Sequence, residues 1–151
     1  MEVLIRDAQK VRRLEKGKIR RILKDLMALW GVEKRGLSVL FVDDEAISRM
    51  NDLYLKGHGP TNVICFSYLH DPYMDVLGDM VVSVERVQIE AKAASVPFYE
   101  RLFQVLVHGF LHIVGFDDRE QGERRRMERR EKRLMKWVSS HDLFRSLVGP
   151  P

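Results

Sequence analysis

Phe98-Tyr99-Glu100-Arg101-Leu102-Phe103-Gln104-Val105-Leu106-Val107-His108-Gly109-Phe110-Leu111-His112-Ile113-Val114-Gly115 is the stretch whose reading decides the fold. Phe98, Leu102, Phe103, Val105, Leu106, Val107, Phe110, Leu111, Ile113 and Val114 leave it almost no polar face. A helix so apolar belongs in the middle of a protein, with other elements packed around it. The helix should begin near Pro97 or Phe98 and stop at Gly115, because glycine takes the left-handed backbone of a helix end without strain. His108 and His112 are four residues apart, which sets both imidazoles on one face, one turn from each other. Two zinc ligands carried on one helix need that geometry. A lone core histidine is usually satisfied by a neighbouring carbonyl, but two of them, buried and unpaired on an apolar helix, would be costly.

Working outward, Glu2 to Arg6 reads as a short strand, and Ile19, Ile22, Leu23, Leu26 and Trp30 recur at helical spacing before Gly31. Leu37 to Val42 is an apolar strand, and Asp43 and Asp44 are suited to start a helix from about Glu45 to Tyr54. Residues 56–61 are loop by composition, Asn62 to Ser67 returns to strand, 69–77 is loop again, and Met80 to Ser83 is a fourth strand. A helix from about Val84 to Ser95 precedes Pro97, and a charged helix over 120–138 shows its inner side at Met127, Leu134 and Val138. The expectation is an α+β fold: one domain over residues 1–151, with about four strands in a mixed sheet and about five helices around the central apolar helix.

Composition narrows the function. At 151 residues and 45% hydrophobic, the chain can bury one core. It has no apolar run of about eighteen residues and no signal-peptide pattern at its start, and a cytoplasmic location is expected. The single cysteine, Cys65, excludes an internal disulfide and a cysteine-based zinc finger, and its apolar neighbours suggest a buried small hydrophobe. The net charge of +4 is unevenly spread: residues 6–24 carry +7, residues 119–136 carry +5, and the remainder carries −8. Two basic segments on an acidic body point to a polyanionic partner.

A third metal ligand should lie just past the helix, where Gly115 lets the chain turn back and where Asp117 and Asp118 stand. Either carboxylate would complete a three-ligand shell with a fourth position open to water, and either could instead cap the helix that follows. Zinc proteases of the HExxH kind carry a glutamate base directly after the first histidine, whereas Gly109 occupies that place here. The weight shifts to chemistry in which an activated water and charge stabilisation suffice, or in which the substrate brings its own nucleophile, as RNA does with its 2′-hydroxyl.

His108-Gly109-Phe110-Leu111-His112-Ile113-Val114-Gly115-Phe116-Asp117-Asp118 resembles the helix motif HGxLHLxGYDH of the YbeY family, the bacterial rRNA maturation endoribonucleases. Pro60-Thr61-Asn62-Val63-Ile64-Cys65-Phe66-Ser67 is similar to that family's P-T-(D/N)-V-L-S-F strand, and Leu77-Gly78-Asp79-Met80-Val81-Val82-Ser83 to its LGDI(V/I)IS strand. Asn51, Met127 and Glu131 also fall at matching places, and the likeness spans roughly residues 40–135. The resemblance implies one divalent metal ion, zinc before others, held by His108, His112 and Asp118. Asp118 stands where the family has its third histidine. It further implies cleavage of single-stranded RNA by way of a water held at that metal, in maturation of the 3′ end of 16S ribosomal RNA and in ribosome quality control, with the small ribosomal subunit as partner. An arginine that the family places before its P-T-(D/N)-V strand falls on Leu55, with Lys56 beside it.

Lys56, Thr61, Asn62 and Ser67 are therefore candidate substrate contacts, the last three with turn and strand-end hydrogen bonding as the plainer reading. The basic side chains of both segments are candidates for the flanking phosphates. Asp79 either neighbours the metal or caps a strand, and His58, His70 and His141 read as surface residues. Two other functions stand beside the nuclease: a zinc metallopeptidase-like hydrolase, and a non-catalytic RNA-binding ribosome assembly factor.

Overall fold

The computed structural model describes residues 2–54 and 61–149. Among these residues four strands form one sheet: β1 (Val3–Asp7), β2 (Gly36–Val42), β3 (Val63–Ser67) and β4 (Val76–Ser83), in the spatial order β1-β2-β4-β3. β1, β2 and β4 run parallel, and β3 runs antiparallel to β4 on the far edge, so the sheet is mixed. Among the described residues six helices accompany it: α1 (Lys16–Trp30), α2 (Asp44–Tyr54), α3 (Val84–Ala94), α4 (Phe98–Ile113), α5 (Gln121–Ser140) and α6 (Asp142–Val148).

Strand periodicity divides the core between the two faces of the sheet. Leu37, Val39 and Phe41 of β2, with Met80 and Val82 of β4, join the large core that holds α1, α4 and α5. Val42, Ile64 and Val81 turn to the other face and pack on Ile47 of α2. α4 is the centre of the larger layer, with eleven of its sixteen residues buried. Its remaining polar residues are nearly all on one line, Arg101, Gln104, His108 and His112, spaced three, four and four apart. A stripe at that spacing follows one side of a helix.

Three glycines place this stripe. Gly78 lies where β4 carries one extra residue against β2, between the pairs Gly36–Val76 and Ser38–Asp79. A Cβ there would come within 2.6 Å of the Phe66 carbonyl oxygen and 2.7 Å of Ile113 Cγ2. Gly109 faces the sheet directly, and a Cβ on it would meet Met80 Sδ at 2.7 Å and Cys65 Sγ at 2.9 Å. α4 therefore rides closer to β3 and β4 than any side chain at 109 would allow. Gly115, with φ +109°, reverses the chain after α4.

The structure corrects the expectations in four places. β4 begins at Val76, inside the segment read as loop, because Leu77 and Gly78 are buried beneath α4 despite the glycine. A sixth helix, α6, follows α5. His141 is not a plain surface residue: its Nδ1 accepts from the Leu143 amide at the start of α6, and its Nε2 lies 2.8 Å from Asp25 Oδ2 of α1. Neither Asp117 nor Asp118 caps α5, whose N-cap residue is Glu120, without a side-chain hydrogen bond.

Candidate metal centre

His108 and His112 project from the polar stripe of α4, and two different elements orient their rings. The turn allowed by Gly115 brings the Phe116 carbonyl back over the last turn of α4, where His112 Nδ1 lies 3.1 Å from it. Trp30 packs edge-on against both Phe110 and Phe116 and holds that turn in place. On the other side, α5 turns Met127, Leu134 and Val138 into the core, and Glu131 shares that face at helical spacing. Its Oε1 is 2.6 Å from His108 Nδ1.

A backbone carbonyl and a carboxylate can only accept, so both Nδ1 atoms carry a ring proton, and in the neutral ring that leaves Nε2 as the atom with a lone pair. Those two Nε2 atoms stand 3.1 Å apart. In the neutral rings two lone pairs face each other, an arrangement that a shared cation relieves. Asp118 adds an oxygen 3.7 Å from His112 Nε2, and one ligand atom from each of the three residues lies within 4.8 Å of the others. Imidazole and carboxylate ligands at about 2.0–2.2 Å in a tetrahedron stand about 3.3 Å apart. The donor set and its spacing therefore fit a divalent metal, with second partners of the kind that fix metal-binding histidines.

Asp117 is occupied otherwise. Its Oδ1 accepts from the amides of Asp118 and Arg119, and its Oδ2 takes the Arg119 guanidinium at 2.7 Å. The hydrogen bond from Arg119 holds its carboxyl below the usual carboxylate range. Asp79 does not neighbour the histidines: it shares a strand face with Val81, opposite to Met80, and accepts from the Tyr68 hydroxyl at 2.6 Å. That bond pushes the Tyr68 hydroxyl above its ordinary range.

Two hollows meet at His108. One, of about 580 Å³, includes Thr61, Asn62, Ser67, His112 and Arg119 in its walls. The other, of about 390 Å³, lies between α4 and α5 and includes Asn62, Arg101, Gln104 and Lys132. Ser67 is committed to the fold, its Oγ donating to the Ile113 carbonyl at 2.6 Å. Asn62 donates from Nδ2 to Glu90. Lys56 and Leu55 lie outside the described residues, as does His58. The second basic segment, from Arg119 to Lys136, flanks the histidines. Of the first, Arg12 sits on the Phe98 ring, at the opposite end of α4 from His112. A sixteen-residue helix makes that separation about 24 Å.

A sequence profile described as Endoribonuclease YbeY matches residues 4–139. The chain belongs to the YbeY family. Proteins named Endoribonuclease YbeY from Syntrophus aciditrophicus and Geobacter sulfurreducens are 35% and 36% identical to it over 140 residues, spanning 89% of this chain and 88% and 93% of theirs. The solution structure of a Thermotoga maritima protein superposes with a TM-score of 0.62 at 22% identity, covering 90% of this chain and 93% of that one, and so shares the fold. Among the described residues, no helix is long and apolar enough to cross a membrane.

Membership in the YbeY family disfavours the peptidase alternative, and the packing gives an independent reason. A glutamate base after the first histidine would have to occupy position 109, where even a methyl group collides with Met80 and Cys65. Gly109→Ala is expected to lower stability by about 1–2 kcal/mol. Overpacking costs roughly 1–3 kcal/mol, and the better helix propensity of alanine returns up to about 1 kcal/mol. The urea midpoint measures it, and an unchanged or raised midpoint would refute the close approach. Cys65, beneath that glycine, is half-covered rather than fully buried, and burial pushes its thiol up to about 12.

Proposed function

We propose that this chain is an endoribonuclease that cuts single-stranded RNA, with one divalent metal, zinc in the first instance, held by His108 and His112 through Nε2 and by Asp118 through a carboxylate oxygen. The observation that carries the reading is the pair of imidazole Nε2 atoms 3.1 Å apart, in a chain whose relatives bear the name Endoribonuclease YbeY. A metal in that place supplies Lewis-acid polarisation of a phosphoryl oxygen and acidifies a water.

The protein's own groups do the rest. Glu131 and the Phe116 carbonyl hold the two rings in the tautomer that leaves Nε2 free. Arg119, clamped by Asp117, gives the larger hollow a positive edge for the phosphates of the strand, and Lys132 of α5 gives one to the smaller. Asp118, at 46% side-chain exposure, is the most exposed of the three ligands. As an oxygen donor in place of the family's third histidine, it relaxes selectivity toward other divalent ions. Ribosomal RNA, and the 3′ end of the 16S molecule in particular, is the substrate we infer, with the small ribosomal subunit as the setting and the cytoplasm as the compartment.

The test is cleavage of an RNA that carries a single-stranded segment between duplex arms. Cuts are expected only in the single-stranded segment, are expected to stop on chelation, and are expected to return on adding a divalent ion. Tight RNA binding with no cut in zinc, manganese or magnesium would overturn the reading in favour of a non-catalytic assembly factor.

A further inference from the structure

The hollow between α4 and α5 continues the polar stripe of α4 away from the metal ligands, toward Arg101, and nothing in the metal chemistry requires it. At the Arg101 end its polar lining is organised by one carboxylate. Glu90 of α3 takes Arg101 through Nε and Nη2, each at 3.0 Å, and accepts from Asn62 Nδ2 at 3.1 Å. Arg101 in turn donates from Nη1 to Gln104 Oε1 at 3.0 Å. This chain of bonds fixes both amide orientations. The oxygen of Gln104 is taken, so its Nε2 is left as a donor. The nitrogen of Asn62 is taken, so its Oδ1 is left as an acceptor. Neither free atom has another partner among the described residues, and both residues line the hollow.

The charge of Arg101 is balanced by Glu90, whereas Lys132 lines the same hollow and makes no ion pair among the described residues. Val105 and Met135 supply apolar wall. A volume of about 390 Å³ lies within the range of small-ligand sites. Glu131 and His108 also line the hollow and engage each other at 2.6 Å, and the rest of the wall offers a cation for a phosphate, an apolar surface for a flat ring, and one donor with one acceptor for its edge. Every nucleobase carries a donor and an acceptor side by side on its Watson–Crick edge, and single-stranded RNA leaves that edge free.

We propose that this hollow holds one unpaired nucleotide of the RNA strand next to the bond that is cut. Lys132 takes a phosphate, and Gln104 Nε2 and Asn62 Oδ1 take the base edge. Glu90 and Arg101 are positioning residues that aim the two amides. The proposal rests on the RNA reading above and adds to it a site for one base.

It is tested with short single-stranded RNAs in which one base at a time is replaced by an abasic ribose. Their 2′-O-methyl versions serve for binding and their unmodified versions for cleavage. For the parent protein, an abasic residue at one position adjoining the cut is expected to weaken binding about tenfold, and elsewhere far less. In Gln104→Leu that penalty is expected to shrink severalfold, because one of the two groups that read the base edge is gone. Lys132→Gln, on an exposed helix face, is expected to lower the dependence of log affinity on log salt by about 0.7, one phosphate's share for a single strand. Equal abasic penalties at all positions, or the same penalty in Gln104→Leu as in the parent, would overturn the base site. An unchanged salt slope in Lys132→Gln would overturn the phosphate contact. Failure of the nuclease reading is distinguishable: the parent would cut none of the unmodified strands, while a position-dependent abasic penalty in binding would still uphold the nucleotide site.

Discussion

The His112→Ala protein is expected to purify without its metal and to leave single-stranded RNA uncut. His112 is the one ligand close to both others, 3.1 Å from His108 Nε2 and 3.7 Å from Asp118 Oδ2. Its removal leaves two donors, and two donors on a half-exposed surface do not hold a metal against water. The fold should survive. The side chain is partly exposed, and its one backbone bond, from Nδ1 to the Phe116 carbonyl, is worth about 1 kcal/mol. Glu131→Gln gives the graded counterpart. It keeps the volume and a hydrogen bond but removes the charge that favours a protonated Nδ1 on His108, and metal affinity is expected to fall roughly 10–100-fold. Metal content by elemental analysis, with cleavage of the same preparations, reads both. If His112→Ala still carries about one metal per chain, the metal lies elsewhere and the proposed centre is wrong.

How much of this was legible in the sequence depended on whether the cause was local. α4 was readable because its apolar periodicity and its stop at Gly115 are properties of one short stretch. The histidine pair was readable for the same reason. Which of Asp117 and Asp118 would stand free beside the histidines was not readable from spacing, because Arg119 engages the first of them. Asp79 was open between the metal and the strand for a related cause: its face follows from strand periodicity only once the strand's neighbours are known. β4 began earlier than expected because burial under α4 outweighed the low strand preference of Gly78. α6 went unseen because its N-cap is a histidine, whose ring does here what a serine or aspartate usually does. The polar stripe of Arg101 and Gln104 was present at helical spacing all along. Its meaning required Glu90, a residue of a different helix.

Arg35 left no mark in the sequence as a residue of note, and its replacement by alanine is expected to cost about 2–4 kcal/mol. It stands one residue before β2, and its guanidinium reaches into the loop between β3 and β4. Nη1 donates to the Leu69 carbonyl at 3.0 Å, and Nη2 faces the carbonyls of Tyr68, Asp71, Met74 and Val76 at 2.7–3.1 Å. Nη2 has two hydrogens for four oxygens, so these bonds are shared, and the five contacts amount to about three full ones. Each hydrogen bond from a charged donor contributes roughly 1.5–3 kcal/mol where it is sheltered, and water would replace part of it here. The loop it gathers carries Leu69 and His70, which wall the larger hollow beside His112. Loss of Arg35 should therefore loosen that wall without touching the ligands. The urea midpoint is expected to drop and the KM for RNA to rise several-fold, with metal affinity unchanged. Arg35→Lys is expected to recover little, since a single ammonium cannot reach carbonyls on both sides of the loop. A midpoint shift worth less than about 0.5 kcal/mol, the range of ordinary surface substitutions, would mean that the loop is held by its own turns and that the guanidinium merely fits among them.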